Sequence, residues 1–382
     1  MSEHVDVLIQ NVSSQCIPNL TAVRSFKPNR VIWVYSEQTK PDMERLKEAV
    51  RKQVSWQESW LVDVRDSAQL QVNFKKYFDA LSIQGALVFH LTCGTKSMAL
   101  QGLMQLAFFQ QKSKYPAYGV VMDPVSQYFD MVFPKAKNDA YACEPLSFKQ
   151  VLGVHGCKRR SASGRDIMSL KKAYEPLQQL RRLHKPLMRA TRQRTLCSKL
   201  ESSNQGYYLR GGNDLPKEVQ KGLHLAQDIG VISRLSIQKS HFTFQSEGCE
   251  DPFAYIRNMW MEDWIGAVLA HHDDGYWRGG YSSVQVDIKH PGDHQEFDFL
   301  GMRKNHLVYW SCKNTSELKS AQLFEIDALR DEVGGRDFHI AGLLHTAPAE
   351  SGMRSKAKRL NVHLVQVTAA DAEEQLCRFS LK

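Results

Sequence analysis

The first 140 residues alternate apolar runs of strand length with stretches of helical period, and this alternation restricts the fold more than any other feature. Val5-Asp6-Val7-Leu8-Ile9 is the first run and leads into the polar stretch Asn11-Val12-Ser13-Ser14-Gln15. Arg30-Val31-Ile32-Trp33-Val34-Tyr35 is the second, ending at Ser36-Glu37. The pattern then predicts a helix over 42–54, a strand over 60–64 and a helix over 68–81. A strongly apolar strand over 85–91 meets Thr92-Cys93-Gly94-Thr95-Lys96 and a helix over 97–110; 119–122 reads as a further strand. Strands separated by helices argue for a parallel sheet with both faces covered. Ligands of such sheets sit beyond the carboxyl ends of the strands. The loops 11–15, 36–39 and 92–96 all fall on that edge.

At 382 residues the chain is long enough for two or three domains. Its 42% hydrophobic and 24% charged residues are globular composition and exclude a wholly disordered chain. Such a chain buries enough core to fold without a disulfide or metal staple. The first six residues are polar and acidic, so no secretory signal is expected. The apolar stretches fall short of the roughly 20 residues of a membrane span. The eight cysteines (Cys16, Cys93, Cys143, Cys157, Cys197, Cys249, Cys312 and Cys377) are scattered with no C-x-x-C pair. That is reduced, cytoplasmic usage, and it argues against a zinc site.

The net charge of +9 is local. Residues 147–199 hold fourteen basic residues against Asp166 and Glu175, a net of +12, so the rest of the chain carries −3. One basic segment on a near-neutral chain points to a polyanion, nucleic acid being the commonest; the plain alternative is a solvated helical face. This middle segment is helical in pattern. Leu215-Pro216-Lys217-Glu218-Val219 opens a helix that runs to Gly230. The stretches 231–237 and 241–244 then alternate like a hairpin. Helices followed by a hairpin look like a winged-helix unit, here read as a dimerising or spacing element. From Gly248 a third unit begins. It has a helix over 254–272 with Trp260, Trp264 and Ile265 on an apolar side, and strands over 283–288, 296–301 and 307–313. A helix near 316–330 and a strand over 340–344 complete it.

Two constellations carry chemistry. The turn Thr92-Cys93-Gly94-Thr95-Lys96 joins a strand to a helix. Free N–H groups at the helix start, two hydroxyls and an ammonium suit an anion, phosphate above all. It lacks the G-x-x-x-x-G-K-[ST] of a nucleotide triphosphatase. The plain alternative is an ordinary βα turn with a surface lysine. In the last unit, Asp298 and Lys313 bracket a tight turn at Lys304-Asn305, which brings both to one sheet end. A carboxylate and an amine there can hold a divalent cation and orient a water, with Glu262 as a second hard oxygen ligand. The plain alternative is a charged pair at strand ends. His271-His272-Asp273-Asp274 reads as a helix terminus rather than a metal cluster, because adjacent helical residues face different ways. Trp260 and Trp264 read as core, and Cys312 as packing.

The run His90-Leu91-Thr92-Cys93-Gly94-Thr95-Lys96-Ser97-Met98-Ala99 resembles the L-x-T-G-G-T-K-x-M-A signature of CARF domains, the CRISPR-associated Rossmann-fold sensors. Glu296-Phe297-Asp298 followed by Ser311-Cys312-Lys313 resembles the E-(I/V)-D … (D/E)-x-K core of restriction-endonuclease-like enzymes. Trp260-Met261-Glu262 resembles the W-L-E helix that precedes this core in CARF-linked nucleases. The resemblance implies an α/β chain with a Rossmann-like CARF domain over 1–145, a basic, helical, winged-helix-like domain over 146–247 and a PD-(D/E)xK nuclease-like domain over 248–382. It implies a CRISPR accessory nuclease whose paired CARF domains bind a cyclic oligoadenylate, foremost cyclic tetra-adenylate. Binding would activate metal-dependent cleavage of single-stranded RNA and DNA. By position, Thr92, Gly94, Thr95 and Lys96 would contact the activator, with Ser13, Ser14 and Gln15 lining the same pocket. A symmetric ring needs two copies of an anion-binding edge, which a homodimer provides. Glu262 and Asp298 would ligate Mg²⁺ or Mn²⁺, with Lys313 beside the attacked phosphate.

Two positions depart from these patterns. Cys93 stands where the sensor turn has a glycine, which fits if its φ is negative. Ser311 stands where the nuclease core has Asp or Glu, with Glu296 or Glu325 as candidate substitutes. The serine motivates a second reading, a ligand-gated nucleic-acid-binding regulator without catalysis. A third is cleavage of the activator by the sensor domain itself.

Overall fold

The computed structural model describes residues 4–381 apart from 124–125, 135–139, 161–162, 192–195, 202–203, 210–214, 239–240, 248–250, 289–293 and 334–338. The N-terminal region runs β1 (Val5–Asn11), α1 (Cys16–Phe26), β2 (Arg30–Tyr35), α2 (Lys40–Val50), β3 (Trp56–Leu61), α3 (Ser67–Asp79), β4 (Ala86–His90), α4 (Lys96–Lys112), β5 (Ala117–Asp123), β6 (Tyr128–Phe133) and β7 (Ala140–Ala142). These strands form one sheet in the order β3-β2-β1-β4-β5-β6-β7. The first five are parallel; β6 and β7 are antiparallel additions at one edge. Alternate residues of each strand feed opposite faces. Leu8, Val31, Trp33 and Val88 join Leu20, Met43 and Leu46 of α1 and α2 in one core. Val7, Ile9, Ile32, Val34 and Phe89 join Leu70, Phe74 and Leu106 of α3 and α4 in another. Two covered faces explain the unbroken apolar runs. The edge strand β3 lies at 56–61, earlier than the 60–64 expected from sequence. Only Trp60 in it is buried, so Gln57, Glu58 and Ser59 hide the strand pattern.

The chain continues through α5 (Phe148–Val154), β8 (Cys157–Arg159), β9 (Arg165–Asp166), α6 (Ile167–Lys171), α7 (Tyr174–Thr191), β10 (Leu196–Glu201), β11 (Asn204–Leu209), α8 (Lys217–Ile229), β12 (Ile232–Gln238) and β13 (His241–Ser246). The helix and hairpin read from the sequence are α8, β12 and β13. The hairpin β10–β11 extends them into a four-stranded antiparallel sheet, ordered β10-β11-β13-β12.

The last region holds α9 (Pro252–Ala254), a π-helical turn over Tyr255–Met259, α10 (Trp260–His271), β14 (Trp277–Ile288), β15 (His294–Arg303), β16 (His306–Lys313), α11 (Ser320–Glu332), β17 (His339–His345), α12 (Ser351–Arg359), β18 (Val362–Gln366) and α13 (Ala372–Ser380). Its sheet is ordered β18-β17-β16-β15-β14-β8, with β9 also on β14. The strands β16, β17 and β18 are parallel, whereas β14, β15 and β16 form an antiparallel meander. This sheet therefore takes β8 and β9 from residues 157–166, within the segment read from sequence as the middle domain. Trp260 and Trp264 are fully buried against Phe299 and Trp310, so α10 is anchored on the sheet. Truncating a core tryptophan costs about 3–5 kcal/mol.

The two large sheets are joined by more than the chain. One core cluster runs from α1 and α2 through Phe148, Val151 and Leu152 of α5 to Val284, Phe297 and Leu300. The tip of the β15–β16 hairpin inserts Asn305, 1% exposed, against the N-terminal region. Its Oδ1 accepts the Leu146 N–H (2.8 Å) and its Nδ2 donates to the Glu144 carbonyl (3.3 Å). Among the described residues no helix is long and apolar enough to cross a membrane.

Candidate functional site

In the N-terminal sheet the chain builds outward from β1 to β3 and then returns to place β4 on the other side of β1. The loops after β1 and β4 therefore diverge and leave a crevice at the carboxyl edge. Ser13, Ser14 and Gln15 follow β1; Thr92, Gly94, Thr95 and Lys96 follow β4. The structure brings both groups to this crevice. Cys93 ties them together, its Sγ lying 3.5 Å from the Gln15 carbonyl. The left-handed conformation falls on Gly94 (φ +81°), and Cys93 is not among the residues with positive φ. A Cβ at Gly94 would sit 2.7 Å from the Asn11 Cβ, so only glycine lets the turn lie on β1. Thr95 caps α4, accepting the Met98 N–H (3.2 Å), while Ser14, Gly94, Thr95 and Lys96 are exposed. The remaining N–H groups of the first turn of α4 have no intrahelical partner and favour an anion.

The Thr92 hydroxyl is used inside the fold. Gln10 Oε1 receives Asn19 Nδ2 (3.2 Å) and lies 3.2 Å from His90 Nδ1, so the imidazole carries its proton on Nδ1. His90 Nε2 then accepts from the Thr92 hydroxyl (2.8 Å), which itself accepts the Met122 N–H (2.6 Å). Burial pushes the His90 imidazole down to about 3, so it stays neutral. Thr92 therefore fixes the turn across β1, β4 and β5. Among the described residues, buried Asn11 has no partner for either polar side-chain atom, and Gln10 Nε2 and Asn19 Oδ1 also lack one. Orphaned buried amides beneath these loops fit a bound water or ligand. Gln10, Asn11, Asn19 and His90 were not singled out from the sequence. For Gln10, Asn11 and His90 the signal was a polar residue closing an apolar run; Asn19, inside α1, left none.

The second site lies where β15 separates from β16. Asp298 comes just beyond the last β15–β16 pair, Phe299↔Trp310. Its Oδ2 accepts the Cys312 N–H (2.6 Å) and the Ser311 hydroxyl (3.0 Å). On the other side it falls opposite Ser283, between the pairs Ser282↔Phe299 and Val284↔Phe297. Ser283 has a left-handed backbone (φ +48°), and its hydroxyl donates to Glu262 on α10. Glu262, Ser283, Asp298 and Ser311 thus form one polar line across the sheet. Burial, and next the charge of Asp298, push the Glu262 carboxyl up to about 8 against the bond from Ser283. Lys313 ends β16 and forms no ion pair among the described residues. Lys313 follows Cys312, whose N–H Asp298 accepts, and Asp298 lies opposite Ser283, the donor to Glu262, so the three share one stretch of the sheet. Burial and the two carboxylates push the Cys312 thiol well above its ordinary value, which leaves it a packing group.

Neighbouring Asp263 shows the contrast. It is 2% exposed and paired with Arg165, and it accepts from Tyr255 Oη (2.6 Å) and from Ser282. Arg165 Nη2 also donates to the Ile229 carbonyl (3.0 Å). The sequence reading missed this pair, because Arg165 sat within a basic run. Glu296 and Glu325 are both exposed. Glu296 adds the smallest of the charges acting on Glu262, and Glu325 acts on Tyr309. Glu262 and Asp298 are the side chains that could hold a divalent cation. Their donor set is hard carboxylate oxygen, and a bound cation would favour the ionised form of Glu262, which suits Mg²⁺ or Mn²⁺ completed by water. Among the described residues no three His, Cys, Asp or Glu side chains form a metal-holding group. His271 stacks on Tyr174 (3.8 Å), His272 meets Glu373 (2.7 Å), Asp273 accepts the Gly275 N–H (2.9 Å) and Asp274 pairs with Arg303 (2.6 Å). Four different partners hold that terminus.

Residues 7–150 match the Card1 CARF domain. Beyond this CARF-like region, the whole chain has solved structural relatives. Can2 from Sulfobacillus thermosulfidooxidans, solved with cyclic tetra-adenylate, is similar at TM-score 0.68 and 16% identity over 98% of this chain and 97% of Can2. VC1899 from Vibrio cholerae is similar at TM-score 0.71 and 14% identity, over 98% of this chain and 96% of that one. A type III CRISPR defence DNA nuclease activated by cyclic oligoadenylate aligns at TM-score 0.52 and 12% identity. It covers 100% of this chain, which spans 53% of that nuclease. At these identities the likeness is one of fold. No curated protein matches the sequence.

The Glu262 setting has a pH signature. Its folded value is raised above the ordinary one, so ionisation favours the unfolded chain. Stability is full below the ordinary carboxylate range and falls as pH rises toward about 8. In a chelator, Glu262→Gln is expected to melt with wild type near pH 4 and a few degrees above it at pH 8–9, at about 2–4 °C per kcal/mol. Thermal melts across pH read this; a difference independent of pH contradicts it.

Proposed function

We propose that the chain is a CRISPR accessory nuclease in which two copies bind a cyclic oligoadenylate and then cut single-stranded RNA and DNA. The observation that carries this reading is the placement of Glu262, Asp298 and Lys313 along one hydrogen-bonded stretch of a sheet joined to a CARF-like region. The fold likeness to Can2 favours cyclic tetra-adenylate as the activator. Work in the cytoplasm fits the free cysteines.

Glu262 and Asp298 hold Mg²⁺ or Mn²⁺ in this reading. The bound ion supplies Lewis acidity and a lowered water pKa. Ser283, Ser311 and the Cys312 N–H keep the two carboxylates pointed at it. The Lys313 ammonium sits beside the scissile phosphate and offsets charge that develops there. At the other site, Lys96 and the first N–H groups of α4 take the ring phosphates, with Ser13, Ser14 and Gln15 closing the pocket and Thr92, Gly94 and Thr95 shaping the turn. A ring of repeated phosphodiesters needs this edge twice. The helix α4 begins at Lys96 and exposes Leu100, Met104 and Phe108 (58%, 40% and 52%) at successive turns. Pairing two copies along this stripe buries it and joins their crevices.

Ser311 favours the second reading, a ligand-gated binder that does not cut, because a hydroxyl brings no negative charge to the cation. One assay separates the two. Labelled single-stranded RNA and DNA are incubated with Mn²⁺, with and without cyclic tetra-adenylate. Activator-dependent products are expected, lost by about 10²-fold or more in Asp298→Asn and Lys313→Ala. Salt-sensitive binding without product for every ring size would leave the binder reading. For the dimer, sedimentation is expected to show a pair for wild type and a monomer unresponsive to activator for Leu100→Glu/Phe108→Glu. A variant that still sediments as a pair contradicts the α4 interface.

A further inference from the structure

A second cleft opens on the sheet edge that carries Lys313. Because β16, β17 and β18 are parallel, their carboxyl ends face one side, the usual place for a ligand. A cleft of about 440 Å³ lies there. Asn314 and Thr315 line it from the end of β16, Thr346 from β17 and Thr368 from the turn after β18. Lys185 and Arg189 form the facing wall on α7, both exposed and about 6 Å apart along the helix. No carboxylate is among its described lining residues. His184 also lines it; at 4% exposure its Nδ1 has no partner among the described residues.

The floor is firmly held. Asn314 Nδ2 donates to Asn258 Oδ1 (2.6 Å) and to the Arg257 carbonyl (3.1 Å), both on the π-helical turn that leads into the Glu262 helix. The Thr346 hydroxyl accepts the Thr315 N–H (3.0 Å) and donates to the Thr315 carbonyl (2.8 Å). Other arginines of the basic segment have other duties. Arg160 pairs with Asp287 (2.8 Å), Arg165 with Asp263, and Arg181 donates to the Val367 carbonyl (2.8 Å). Lys185 and Arg189 form no ion pair among the described residues, and they stand over a cleft that starts one residue beyond Lys313.

We infer that this cleft seats a backbone phosphate of the single-stranded substrate next to the bond being cut. Two cations, hydroxyls and no carboxylate suit a phosphodiester, and they read charge rather than base. The inference rests on the nuclease reading for the identity of the strand, while the cleft stands on its own lining.

The test uses full-length protein with cyclic tetra-adenylate in a chelator, so that binding is read without cutting. Fluorescence anisotropy follows labelled single strands of about 15 nucleotides between about 50 and 200 mM salt. Lys185→Glu/Arg189→Glu is expected to weaken binding about ten-fold or more. It should also flatten the slope of log K against log salt by about one to two units. Lys171→Glu/Lys172→Glu reverses the same charge in the same basic segment, away from the cleft, and is expected to change binding less than about three-fold. Unchanged affinity and slope in the cleft variant, or equal losses in both variants, overturns the cleft. If the cleft variant alone loses strands that wild type binds but never cuts, the cleft stands and the nuclease reading falls. If wild type cuts and the cleft variant binds as wild type does, the nuclease reading stands and the cleft falls.

Discussion

Three carboxylates crowd the start of α10 and the strand facing it, and the way the protein treats them differs. Asp263 is buried and receives Arg165 as a full counter-charge. Among the described residues, Glu262 and Asp298 receive only neutral donors: the Ser283 hydroxyl, the Ser311 hydroxyl and the Cys312 N–H. Neutral donors orient a carboxylate without cancelling it, so burial, and next the charge of Asp298, raise the Glu262 value. Burying like charges without a cation is unfavourable. A divalent ion removes that cost at the point where the β15–β16 ladder ends, beside Lys313, which forms no ion pair among the described residues. The cleavage reading depends on this uncompensated pair.

The same architectural rule places each site. The N-terminal crevice lies at the carboxyl ends of β1 and β4, where strand order reverses, and the cleft beside Lys313 lies at the carboxyl ends of β16 to β18. The two halves also meet directly. Asn305 docks on residues 144–146, and the strands leaving that tip carry Asp298 and Ser311.

Much of this was legible in the sequence, for identifiable reasons. The strands β1, β2 and β4 are buried on both faces and so announce themselves as apolar runs. The flanking strands β6 and β7 do not, because half of their residues face outward. β8 and β9 are only three and two residues long and lie in a basic run that reads as surface. Part of that run is internal, since Arg160 and Arg165 serve buried or half-buried acids and Arg159 lies over the Tyr281 ring (3.9 Å). Charge arithmetic cannot separate such arginines from solvated ones. Asp298, Lys313 and Glu262 could be singled out because their residue types and spacing suit cation and phosphate chemistry. Ser283 and the Cys312 N–H were invisible, since a left-handed serine and a backbone donor leave no compositional mark. Thr92 was recognised as a turn residue, but its inward hydroxyl emerged only with His90, Gln10 and Met122 in place.

The most direct test is calorimetric titration of Mn²⁺ into the metal-free protein. Wild type is expected to show saturable binding that Glu262→Gln and Asp298→Asn each abolish while the far-ultraviolet spectrum and melting cooperativity persist. Unchanged Mn²⁺ binding in the doubly substituted protein would mean that these two carboxylates do not share a cation, and the cutting role would lose its foundation.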